Sequence, residues 1–169
     1  MSAFWGYRQM KESNMDYFSF ALGSGMFAVP VMYVKEVFDF TSLTPVPNSL
    51  GYLKGVMNIR GSVVSIIDLR KLFGFNPSDD FSTTSVIDLE VPRQDGKPFE
   101  IAIIADTVDV VSGLSMIQAD SASYGIPEEQ RYFVRSVARR GDEFILVLDL
   151  DKILSFIIAD VEKAARVRA

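Results

Sequence analysis

"GVMNIRGSVVSIIDLRKLFG", residues 55–74, sets two apolar runs on either side of Arg60-Gly61 and closes on Asp68-Leu69-Arg70-Lys71. "GVMNI" and "SVVSII" are rich in β-branched residues, which suit a pleated, half-buried surface, and the Arg-Gly between them reads as a hairpin turn. Asp68 is placed to cap a short helix, "LRKLF", and Gly74 to end it in a left-handed conformation. The stretch holds no His, no Cys and no phosphate-binding glycine pattern. It therefore reads as architecture or binding surface rather than as a reaction centre.

The same unit recurs in "RGDEFILVLDLDKILSF", residues 140–156. Arg60-Gly61 matches Arg140-Gly141 at an offset of 80, and Asp68 matches Asp149 at 81, which implies one inserted residue. Strand, Arg-Gly turn, strand and Asp-capped short helix thus occur twice. Elsewhere "YFSFAL" (17–22) and "MFAVPV" (26–31) flank the turn Gly23-Ser24-Gly25. "VMYVKEVF" (31–38) repeats its apolar residues at Val31, Val34, Val37 and Phe38, the spacing of one helical face. Pro45 and Pro47 hold the next segment extended. "TSVIDLEV" (84–91) and "FEIAIIAD" (99–106) read as strands about an Asp95-Gly96 turn, with a polar loop at 76–84 before them. Residues 114–131 lack a period and read as loop, and "ILSFIIADVEKAARVRA" (153–169) fits a helix. The expected organisation is a tail over 1–15, a β-rich domain over 16–160 made of two similar units, and a helical tail over 161–169. Many short strands with frequent turns favour barrels or a sandwich.

Composition excludes several functions. A net charge of −5 and a pI near 4.8 argue against nucleic acid or an anionic membrane as partner. The cluster Arg131, Arg135, Arg139 and Arg140, interleaved with Tyr132 and Phe133, is the one feature a small nucleic-acid-binding barrel would share. Without Cys there is no disulfide or thiolate chemistry, and without His the commonest general base and zinc ligand are gone. The pairs Asp106/Asp109, Glu128/Glu129 and Asp149/Asp151 have ready roles as caps, turn residues or surface charges. The expectation is a protein with no enzyme activity, no metal and no cofactor. "ILSFIIA" (153–159) is too short to cross a bilayer and the N-terminus lacks a signal-peptide core, so a cytoplasmic location without membrane insertion is expected. What remains is surface for partners, with Glu36 and Arg60 a candidate ion pair that positions a loop.

From Tyr17 to about Phe156 the chain resembles the CheW family of chemotaxis coupling proteins. The most specific part is "VP…LKGVMNIRGSVVSIIDLRKLFG", supported by "FSFALGSGMFAVPVMYVKEV", "IAIIADTVDVV" and "FILVLDLDKIL". Ser65, Ala102 and Arg135-Ser136 depart from residues common in that family. The resemblance implies a mainly β fold of two SH3-like five-stranded barrel subdomains with short helices and a C-terminal helix. It implies a scaffold, monomeric alone, that couples the cytoplasmic tips of chemoreceptors to the regulatory domain of a CheA-type histidine kinase within a receptor–kinase array. An adaptor of the same fold in a non-flagellar chemosensory pathway is the neighbouring reading. By position, the resemblance gives Val34, Glu36, Val37, Gly55, Arg60, Val108 and Val111 to receptor binding, and Lys54 to kinase contact.

Overall fold

The computed structural model describes residues 16–23, 25–47, 50–74, 85–111, 114–117 and 128–168. The expected tail at 1–15 and loop at 76–84 lie outside them. Strands β1 (Tyr17–Leu22) and β2 (Gly25–Pro30) form the first hairpin; β3 (Val34–Asp39), β4 (Leu53–Ile59) and β5 (Ser62–Ile67) follow, then helix α1 (Leu69–Phe73). The second half runs β6 (Ser85–Val91), β7 (Phe99–Ala105), β8 (Thr107–Val111), β9 (Ser115–Ile117) and helix α2 (Glu128–Arg131). It ends with β10 (Val134–Arg140), β11 (Glu143–Leu148) and helix α3 (Leu150–Arg168).

These strands make two sheets, in the orders β8-β1-β2-β11-β10-β9 and β3-β6-β7-β5-β4. Each curls into an SH3-like barrel. In the first, β8 and β9 lie on opposite edges yet are only three residues apart in sequence, so one run of chain serves as the fifth, closing strand. In the second, the chain leaves β3 and returns at Thr44, which exchanges two backbone hydrogen bonds of 2.9 Å with Val56 of β4. This closure shortens the exposed sheet edges that would otherwise template aggregation, although β3 itself keeps only β6 as a paired strand.

The internal repeat is real and more regular than its sequence suggests. β10 and β11 follow β4 and β5 at a constant 81 residues, from Leu53–Ile59 to Val134–Arg140 and from Ser62–Ile67 to Glu143–Leu148. A bulge falls at Leu53/Gly55 and again at Val134/Ser136. The Asp68 and Asp149 amides donate to the Tyr52 and Phe133 carbonyls, both at 2.8 Å. No residue is inserted. Arg60 occupies the hairpin loop, whereas Arg140 ends a strand opposite Glu143, so the matching Arg-Gly letters are one position out of structural register.

The two repeats are also interwoven. In sequence each runs hairpin, closing strand, second hairpin, helix: β1 to α1, then β6 to α3. In space the first barrel joins the β1–β2 hairpin to β8–β11, and the second joins β3–β5 to the β6–β7 hairpin. The joints are the parallel pairs β2/β11 and β5/β7. Neither half of the chain contains a whole barrel, and the packing follows. Alternation along β7 sends Ile101, Ile103 and Ala105 into one large core shared by both barrels, and Ala102 and Ile104 into a smaller cluster with Met57, Ile59, Val64, Ile66 and Val86. Helix α3 adds Leu150, Ile153, Leu154 and Ile157 to the shared core, the spacing of a helical face.

One expected element is different. Residues 31–38 form a 3-10 turn (Val31–Tyr33) and then strand β3, not a helix. A bulge between Val34 and Glu36 explains the misreading. One extra residue lets Val34 and Val37 face the same core, so a strand acquires the three-residue apolar spacing of a helix.

Candidate functional site

Strand β3 stands at the edge of its sheet, and the β4–β5 hairpin reaches toward it. The hairpin loop has positive φ at both central residues, 52° at Arg60 and 88° at Gly61, the backbone of a tight turn that matches strand twist. The Asn58 side chain braces it by accepting the Gly61 amide at 2.9 Å. From there Arg60 reaches Glu36 with two parallel hydrogen bonds, Nε to Oε2 at 2.8 Å and Nη2 to Oε1 at 3.0 Å. The Arg60 side chain is 79% exposed, so water screens the pair and its main effect is to fix position. The hydrogen bond from Arg60 holds the Glu36 carboxyl below the usual range, and Glu36 raises Arg60 in return.

Val34 and Val37 lie half-buried on β3 and pack against the shared core. Val108, half-buried on β8, packs against the same core from the edge of the other sheet, opposite Phe20. Val111 pairs with Tyr17 through its backbone, and its side chain is outside the described residues. Val34, Val37 and Val108 thus all pack against one core that belongs to both barrels.

Gly55 has a different task. A Cβ there would sit 2.4 Å from the Thr44 carbonyl oxygen and 2.7 Å from the Leu43 side chain, where the closing segment crosses β4. Only glycine permits that crossing. Gly55→Ala is expected to push Thr44 off Val56 and lower stability by about 1–3 kcal/mol, the usual cost of overpacking. A thermal melt measures this, and an unchanged midpoint would mean the segment yields freely.

Lys54 and Asp68 meet in the interior. The Asp68 carboxylate, fully buried, accepts the Arg70 amide at 3.0 Å and both Nε and Nη2 of Arg70 at 2.9 and 3.0 Å, while Lys54 Nζ lies 3.6 Å from it. Asp68 is therefore a helix cap, as the sequence implies, and also the anion of a buried three-residue cluster. Asp149 is the simpler case: its carboxylate accepts the Lys152 amide at 3.1 Å at the start of α3, a helix of 19 residues rather than a short one.

Sequence reasoning passed over a second acidic group. Asp88 lies in mid-β6 with no solvent exposure, and no donor reaches either oxygen. No signal for it stands in the sequence: in "VIDLEV" Ile87, Leu89 and Val91 make the apolar phase of the strand, and Asp88 shares the other phase with Glu90, where alternation puts solvated residues. Burial, and then the neighbouring Glu100 carboxyl, push Asp88 up to about 7. In the arginine stripe Phe133 is buried, the exposed Tyr132 ring has Lys152 Nζ at 5.3 Å from its centre, and Arg140 pairs with Asp109 and Glu143. Among the described residues, no group of acids comes together to hold a metal, and no helix is long and apolar enough to cross a membrane.

Comparison with known proteins places this geometry. The family described as the CheW-like domain matches residues 16–157. The chain is similar to the probable chemotaxis protein CheW of Rhizobium etli, 27% identical over 152 residues, covering 88% of this chain and 92% of that one. It is similar to the chemotaxis protein CheW of Treponema pallidum, 28% identical over 142 residues, covering 81% and 80%. In fold it is similar to the crystal structure of the scaffolding protein TtCheW from Thermoanaerobacter tengcongensis, with a TM-score of 0.65 at 22% identity over 80% of this chain and 89% of that one.

Proposed function

The chain belongs to the CheW-like domain family of chemotaxis scaffolds, and from that premise we propose that it is a non-catalytic cytoplasmic adaptor. It couples the cytoplasmic tips of chemoreceptors to the regulatory domain of a CheA-type histidine kinase, at the inner face of the membrane. The observation that carries this reading is that apolar edge-strand residues of both barrels pack against one shared core. Val34 and Val37 on one edge strand and Val108 on an edge strand of the other barrel are partly buried against that core, and an ion pair to Glu36 fixes the hairpin beside β3. A helical receptor hairpin fits such edges through apolar anchors spaced along one face. Glu36 and Arg60 preorganise the β3 edge, and Gly55 keeps β4 in place. The kinase contact at Lys54 rests on the resemblance alone, since its ammonium lies against buried Asp68.

The test is titration calorimetry with a chemoreceptor signalling-tip fragment and, separately, with a CheA-type regulatory domain. Micromolar binding of both, at separate places, is the expected result, and binding of neither overturns the reading. Arg60→Ala is expected to weaken receptor binding by roughly three- to tenfold, through lost preorganisation and not lost contact area, with an unchanged melt. Unaltered affinity would remove the ion pair from the site.

A further inference from the structure

The buried acid under the edge strand has no structural explanation so far. Asp88 faces Glu36 directly across the β3–β6 ladder and Ala102 across β6–β7. Glu100 shares the Ala102 phase of β7, and so lies on the same sheet face as Asp88. The charged groups around it come from every neighbouring element: Lys35 and Glu36 from β3, Glu90 from β6, Glu100 from β7, and Arg60 from the hairpin beyond Glu36. Both cations are engaged elsewhere, Lys35 with Glu100 at 3.3 Å and Glu90 at 3.7 Å, and Arg60 with Glu36. Two carboxyls side by side, one fully buried and without a donor, coexist only when one carries a proton.

Losing that proton would put a charge in a site that cannot solvate it. The cheapest relief is to admit water by parting one strand, and the two neighbours of β6 are unequal. β7 is an inner strand paired along seven residues, whereas β3 is the edge strand and is interrupted by its bulge. We propose that a proton shared by Asp88 and Glu100 latches β3 onto its barrel, and that its release loosens β3 and the Glu36–Arg60 pair on it. The fold thereby carries a pH-sensitive latch under its edge strand.

The direction follows from linkage. An acid raised in the folded state stabilises it fully below the ordinary carboxylate range, and that contribution is lost as pH rises from there through about 7. Glu36, lowered by Arg60, acts in the opposite sense, losing its contribution only as pH falls below that same range. The two windows do not overlap.

The latch needs no partner; only its consequence for docking rests on the adaptor reading. Amide hydrogen exchange of Val37 and Phe38, corrected for the intrinsic rate, and carbon NMR of the Asp88 carboxyl therefore test it on the isolated chain. Between about pH 6 and 8, β3 protection is expected to fall up to about tenfold in the wild type, the linkage limit for one group titrating near 7, and stay flat in Asp88→Asn. In Glu100→Gln the amide supplies Asp88 with a donor, so the transition should move to lower pH. An Asp88 carboxyl titrating in the ordinary range overturns the proposal. So does an equal loss of protection in Asp88→Asn, or a transition that Glu100→Gln leaves unmoved.

Discussion

Asp68→Ala is expected to destabilise the fold by about 3–5 kcal/mol, the range for removing one partner of a buried ion pair. The substitution deletes the cap of α1, but the larger effect is electrostatic. Arg70 keeps a guanidinium that is 5% exposed, and Lys54 an ammonium that is 17% exposed, and both lose the Asp68 carboxylate. In a domain of this size each kcal/mol moves the melting midpoint by roughly 2–4 °C, so a drop of about 6–20 °C is the readout. Asp149→Ala removes only a cap from a half-buried site and should cost about 0.5–2 kcal/mol. The pair of melts decides the matter, because equal losses would show that the buried cluster adds nothing to the cap. Replacing Arg70 with Leu in the Asp68→Ala background should recover part of the loss, since the buried site then holds one charge fewer.

Val34→Asp is expected to abolish detectable receptor binding, a loss of at least about a hundredfold. A carboxylate at an apolar contact must be desolvated without a partner, which costs several kcal/mol. Val34 also packs against the shared core, so the variant should melt lower by about 1–3 kcal/mol and remain folded at room temperature. Val63→Asp is the control, because Val63 is 73% exposed on β5 and its change should leave the melt unmoved and receptor binding intact. A folded Val34→Asp protein that binds at wild-type strength would move the docking site elsewhere. Equal loss in Val63→Asp would mean that added negative charge, and not the apolar contact, governs binding.

Much of this architecture was legible in the chain. The hairpin through Arg60-Gly61, the caps at Asp68 and Asp149, the left-handed end at Gly74 and the C-terminal helix are local events, each set by residues within a few positions of one another. The duplication was legible for the same reason, since it repeats a local unit. The helix expected at 31–38 failed because a bulge is a property of two paired strands. Its spacing is ambiguous until β6 supplies the register.

What the sequence determined by itself was therefore the set of pieces: two Arg-Gly hairpins with capped helices, two further hairpins, no histidine or cysteine for chemistry, and the motifs that resemble a coupling family. Tertiary structure alone decided how they combine. Local propensity is the same whether a hairpin completes its own repeat's barrel or the other's. Only the parallel ladders β2/β11 and β5/β7, with the single core they enclose, select the interwoven arrangement. The same long-range packing sets Val34, Val37 and Val108 against one shared core, sets Gly55 under Thr44, and buries Asp68 with Arg70. It also leaves Asp88 beside Glu100 without a donor. Burial and proximity between distant segments set the energies of charged and close-packed groups, and neither quantity exists until the chain has folded.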